Sequence, residues 1–260
     1  MTGRRGTHGR ARWPGAVAAL ALGLTACATI AAPPSLPTTA ASDPLVAWER
    51  VLRAHVLEDG RVDFVGLRRD ARDLEAYVAW VATHGPRATP ELFPTDTARL
   101  AYYINAYNAA AMYQVVATTR RPEQQVRFFL LTAFTIDGGR TSLYQLEHEI
   151  VRPLGDPRVH FALNCMVRGC PRLPREPFDP SRLDAQLERE ARRFLNEPRN
   201  VQVDASPRVV RVNSILRFYR ADFLATAPSL IGYANRYRED RLPEDYAVEF
   251  IPYDWTLHQP

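Results

Sequence analysis

Five residues within a 24-residue window could act on a substrate together: Glu147, His148, His160, Cys165 and Cys170. A cysteine thiolate attacks carbonyl carbon when a nearby imidazole takes its proton and a third group orients that imidazole. On this reading Cys165 or Cys170 is the nucleophile and His160 or His148 the base. Glu147, Asn105 or Asn108 is then the orienting group. The same residues carry two further readings. Cys165 and Cys170 are spaced C-x4-C, within reach of a local disulfide in an oxidising compartment. With His148 and His160 they also make a two-nitrogen, two-sulfur set suited to tetrahedral zinc. The His-x11-His spacing is not a familiar ligand pair, so no metal ligand is assigned, and no cofactor motif is read.

These side chains need elements to position them. Asn105 and Asn108 lie three residues apart, on one face of a nearly all-apolar helical run over residues 100–116. A buried amide must find partners. The pair therefore either caps backbone groups around residues 165–171 or lines a polar pocket beside His160, to which Tyr103 is also assigned. Apolar spacing predicts further helices over 45–56, 68–84, 183–196, 214–223 and 228–237. Phe134-Thr135-Ile136 and Arg140-Thr141-Ser142-Leu143 flank Asp137-Gly138-Gly139 as a hairpin, and 201–203 with 209–212 make a second. Residues 159–165 are compatible with a strand or a buried helical turn. Arg217, Tyr219 and Asp222 read as an ion-pair group, and Tyr253-Asp254-Trp255 as packing at the C-terminal strand. The fold class is α+β: one mostly helical domain with short β-hairpins, over residues 45–260.

The N-terminal part reads as an export signal. Arg4, Arg5, Arg10 and Arg12 precede an apolar run of about twelve residues, too short for the roughly 20 that span a bilayer. Its end, Leu24-Thr25-Ala26-Cys27, resembles the bacterial lipobox. Residues 1–26 are therefore expected to be a signal peptide, Cys27 the lipidation site, and 27–44 a Pro- and Ala-rich tether. Ala28 in place of an Asp implies the outer membrane, facing the periplasm. Beyond those four arginines, 29 basic residues meet 29 acidic ones, and every basic residue is Arg. This balance argues against nucleic-acid binding and excludes lysine chemistry. The expected partners are the membrane, through Cys27, and an unidentified protein or peptide ligand.

Several strings then fall in order: Gly60-Arg61-Val62-Asp63-Phe64, Tyr103-Ile104-Asn105-Ala106-Tyr107-Asn108-Ala109, Leu146-Glu147-His148, Asp156-Pro157-Arg158-Val159-His160-Phe161-Ala162-Leu163, Cys165 through Cys170-Pro171, Arg193-Phe194-Leu195-Asn196, Phe218-Tyr219 with Asp222-Phe223, and Tyr253-Asp254-Trp255. Together they resemble the DUF547 family, across nearly the whole stretch from residue 45. Asn164 and His258 depart from the expected pattern. The resemblance implies a single domain and no established reaction. Two functions are carried forward: a thiol-dependent hydrolase or transferase acting on peptides or amides, and a non-catalytic binding or scaffold domain with a Cys165–Cys170 disulfide or a zinc-stabilised fold.

Overall fold

The computed structural model describes residues 28–30, 43–118 and 121–260. The expected signal peptide, Cys27 and most of the expected tether lie outside them. Within that tether, a two-residue strand β1 (Ala28–Thr29) runs parallel to a later strand. Helix α1 (Pro44–His55) begins at a proline, with Asp43 as its cap.

The single helix expected over 68–84 is two. Helix α2 (Phe64–Arg69) is capped by Asp63, whose side chain accepts from Gly66 N–H, and α3 spans Arg72–Thr83. Between them Asp70 is extended and its carboxylate takes both the backbone N–H and the guanidinium of Arg72. That local bond competes with the helix, a break which apolar spacing does not register.

Helix α4 (Asp96–Ala117) is the central post. Thr95 caps it by accepting from Ala98 N–H, and it is buried almost continuously from Ala98 to Val115. Trp48 of α1 stacks on Tyr77 of α3 with centroids 5.5 Å apart, and α3 packs on α4.

The hairpin of β2 (Thr132–Ile136) and β3 (Gly139–Ser142) forms as expected. Its turn residues Asp137 and Gly138 both have positive φ (55° and 69°), the geometry that matches strand twist. Ser142 then starts α5 (Leu143–Gln145) with a reciprocal capping box to Gln145. Two wider, π-helical turns follow the same neighbourhood, Val126–Leu130 before β2 and Leu146–Val151 after α5.

Residues 159–165 are not a strand. Asp156 caps a tight 3-10 turn over Pro157–Phe161. Helix α6 (Leu183–Asn196) follows with the expected bounds. Strands β4 (Val201–Asp204) and β5 (Val209–Asn213) are antiparallel. Short helices α7 (Ile215–Phe218), α8 (Arg220–Leu224) and α9 (Leu230–Ala234) lead to β6 (Ala247–Ile251), which joins β5 in parallel. One core surrounds α4, and a second, built on Phe161, Phe194, Phe223 and Tyr233, lies under the β4–β5–β6 sheet. The architecture is α+β, as read from the sequence. No helix among the described residues is long and apolar enough to cross a membrane.

Candidate functional site

A cavity of about 270 Å³ lies where α4, both π-helical turns, the Cys165–Cys170 loop, α7 and the C-terminal segment meet. Its wall carries Glu147, His148, His160, Cys165 and Cys170, so the five residues singled out by type do converge. Tyr107, Tyr219, Tyr253 and Trp255 line it as well. The two π-helical turns supply Val126, Phe129, Leu130, Glu147 and His148. Such turns add a residue to the helical repeat and re-aim the side chains that follow, which is why they recur at binding sites.

The sulfurs are bonded to each other. Cys165 and Cys170 form a disulfide with an S–S distance of 2.04 Å. This corrects the thiolate reading, since neither sulfur is free to attack or to bind zinc. Among the described residues no group of three or more His, Cys, Asp and Glu side chains is placed to hold a metal ion. Tyr253 stands over the bond, its hydroxyl 3.3 Å from Cys165 Sγ and 3.2 Å from Cys170 Sγ. Gly169 makes that approach possible, because a Cβ there would lie 2.8 Å from the Tyr253 ring. The segment Tyr253-Asp254-Trp255 thus covers the disulfide rather than merely packing a strand.

The imidazole of His160 is held by Asp222, Nε2 to Oδ2 at 2.8 Å, and Arg152 clamps the same carboxylate with two bonds of 2.8 Å. The Arg152 hydrogen bond first, and His160 second, hold the Asp222 pKa down to about 2. Burial outweighs the Asp222 contact at His160 and lowers its pKa to about 4. At neutral pH the carboxylate can only accept, so the neutral imidazole donates through Nε2–H and keeps its lone pair on Nδ1. That Nδ1 is buried and has no hydrogen-bond partner. The ring stacks on Tyr219 with centroids 3.8 Å apart.

Glu147 is the opposite case. Burial raises its pKa, against hydrogen bonds from Tyr219 and Tyr107 and the charges of His148 and Arg152. The Tyr107 hydroxyl lies 3.3 Å from Oε2, while Oε1 is buried without a partner. His148 donates from Nδ1 to the Tyr144 carbonyl at 3.1 Å and stacks on the Tyr144 ring.

Three residues assigned to the pocket are elsewhere. Tyr103 donates to Asp137 at 2.7 Å and braces the hairpin turn. Asn105 clamps Phe178, accepting its N–H at 3.0 Å and donating to its carbonyl at 2.8 Å. Asn108 donates to Ala162 O and accepts from Asn164 N–H at 2.7 Å, so it fixes the chain just ahead of Cys165 without lining the cavity. Asn164, the departure noted above, binds Pro171 O and Met166 N–H across the loop.

Asp222 and Arg152 were not seen as site residues. Arg217 does not pair with Asp222 but lies over the Phe218 and Phe250 rings. The available signal was Tyr219 and Asp222 at a three-residue step, which would turn both toward one neighbour.

Residues 93–195 match the family model described as "Protein of unknown function, DUF547". They carry a DUF547 domain. The resemblance read across residues 45–260 is thus found over this shorter stretch. The DUF547 segment supplies Tyr107, Glu147, His148, His160 and both cysteines. Asp222, Tyr219, Tyr253 and Trp255 come from the chain that follows it. No curated protein and no solved structure matches the chain.

Proposed function

We propose that the cavity is an acid–base site for hydrolysis or group transfer at peptide or amide bonds, worked by Glu147 and His160 without a free thiol. The observation that carries this reading is the pair of buried, unpartnered atoms, Glu147 Oε1 and His160 Nδ1, on two residues lining one apolar cavity. Environments that push neighbouring pKa values apart mark acid and base assignments. Glu147, raised, is the proton donor; His160, neutral, is the acceptor; Asp222 and Arg152 orient the imidazole. His160 Nδ1 takes a proton from water, the hydroxide adds to the carbonyl carbon, and Glu147 protonates the nitrogen as the C–N bond breaks.

A second reading, a binding module without turnover, is favoured by the apolar side chains that remain exposed along the lining: Val126, Leu130, Tyr144 and Phe218. Acyl p-nitroanilides of increasing chain length separate the two. Turnover whose kcat Glu147→Gln and His160→Gln each lower by about 10²-fold or more, with KM retained, supports the enzyme. Saturable binding of the same anilides with no release of nitroaniline supports the module. We also propose that Cys27 is lipidated and holds the domain at the outer membrane; the Leu24-Thr25-Ala26-Cys27 string supports this.

A further inference from the structure

We propose that the Cys165–Cys170 disulfide is a thiol–disulfide exchange centre for small apolar thiols and disulfides, with Cys165 the sulfur attacked and Cys170 the sulfur released. This goes beyond the acid–base reading and does not depend on it.

Four observations support an exchanging bond over a structural staple. First, both cysteines line the cavity, and exposed Val126, Leu130, Tyr144 and Phe218 offer an apolar small molecule a way in. Second, the loop is fixed without the sulfur bridge. Arg168 N–H and Gly169 N–H donate to Thr256 O and Asp254 O, each at 2.9 Å, and His258 N–H donates to Met166 O at 2.9 Å. Asn164 and Asn213 bind Pro171 O and Gly169 O, and Arg199 binds Arg168 O. A loop so tied gains little from a staple and keeps its two sulfurs in place once they are parted.

Third, the two sulfurs are not equivalent. Cys165 is 9% exposed and Cys170 is 2%. The Cys165 backbone N–H lies 2.9 Å from Cys170 Sγ and donates to it, a bond that strengthens when that sulfur becomes a thiolate. The Tyr253 hydroxyl reaches both sulfurs, so it does not set them apart; it stays protonated, because burial raises its pKa, and can donate to the thiolate as it forms. Fourth, Met166, inside the loop, holds a left-handed φ of 66°. A side chain in that region costs conformational energy and persists where the surroundings impose it.

The chemistry balances without a further redox partner. An incoming thiolate bonds to Cys165 Sγ as the Cys165–Cys170 bond breaks, and the bonding pair leaves on Cys170 Sγ. A second thiolate attacks the substrate sulfur of this mixed disulfide and releases Cys165. Two thiols are oxidised to one disulfide, the protein gains two electrons, and the two thiol protons end on the cysteines. The same steps run backwards from a disulfide substrate restore the oxidised pair.

The test uses the full chain carrying Cys27→Ser, so that Cys165 and Cys170 are its only cysteines. Folded oxidised protein is mixed with benzyl mercaptan, quenched with iodoacetamide and read by mass spectrometry. Reduction of the native protein, with far-UV circular dichroism unchanged, is expected. Single variants are then challenged with dibenzyl disulfide. Access decides the rates: the more exposed Cys165 in the Cys170→Ser chain should form the adduct about tenfold faster than the buried Cys170 in the Cys165→Ser chain, a bias that urea removes. Tyr253→Phe should slow reduction several-fold in a chain whose spectrum is unchanged. A disulfide that resists benzyl mercaptan until the chain unfolds overturns the proposal. Equal adduct rates in the two folded variants overturn it as well.

Discussion

The Asp222 carboxylate serves two cationic or donor partners at once, and its division between them sets the proton inventory of the cavity. Arg152 keeps it ionised, so it can only accept from His160 Nε2–H, while burial keeps the ring neutral with Nδ1 free. If His160 is the base, it must be unprotonated; if Glu147 is the acid, it must be protonated. Activity on anilide probes should therefore rise as pH climbs through about 4, the His160 pKa, and fall again above the raised pKa of Glu147. A pH–kcat/KM profile measures both limbs, and an acid limb at the ordinary histidine value of about 6.5 contradicts the assignment.

The same ring predicts a stability effect whose sign follows from proton counts. His160 titrates near 4 when folded and near 6.5 when unfolded, so between these values the unfolded chain binds more protons. Stability contributed at this position is complete above about 6.5 and is lost as pH falls toward 4, by up to about 3 kcal/mol. Urea unfolding at several pH values, compared with His160→Gln, should show a shallower acid slope in the variant. Asp222 adds a loss in the same direction at lower pH, between about 3.8 and 2.

Among the elements, the central helix acts through its two amides. Asn105 closes on Phe178 as a neighbouring strand would, taking both of its backbone groups and also the Trp48 indole N–H at 3.2 Å. Asn105→Ala strands three buried polar groups. It should cost on the order of 3 kcal/mol, because each unsatisfied group loses about 1–3 kcal/mol and part of this is recovered by relaxation. Thermal unfolding measures this, and a Tm within a degree of the parent contradicts the clamp.

The elements also mark where reading the chain succeeds and where it stops. Helix α6 and the β2–β3 hairpin were legible because their signals are local: apolar spacing in one, Asp137-Gly138 in the other. The site residues Glu147, His160, Cys165 and Cys170 were legible by type and by proximity in the chain. Asp222 meets His160 across 62 positions and Arg152 across 70, and no local pattern encodes such a pairing. The partners of Asn105 were equally hidden. That a buried amide needs partners follows from its chemistry; that they belong to Phe178 follows only from the packing of the 171–182 loop. The two π-helical turns carry no residue signature that distinguishes them from ordinary helix.

On the scale of the whole molecule, two cores are joined through the 157–171 segment, with Phe161 in one and Val159, Ala162 and Leu163 in the other. The cavity sits at this joint, so its two walls belong to separately packed bodies of side chains. If Cys27 is the anchor, Cys27→Ser should shift the protein from the membrane to the soluble fraction, and intact mass should fall by the acyl groups; unchanged fractionation and mass would falsify the lipid reading.

The short strand β1 gives such an anchor a bearing. Ala28 pairs with Thr132, two residues beyond Leu130 on the cavity lining, and Ile30 N–H donates to Ala133 O. Cys27 is joined to Ala28 by a single peptide bond. A lipid there would leave no slack rope between bilayer and domain: the tie point would be a strand already laced into the sheet. The molecule would ride at the surface like a boat moored at the bow, in a restricted attitude, with Val126 and Leu130 on the moored side.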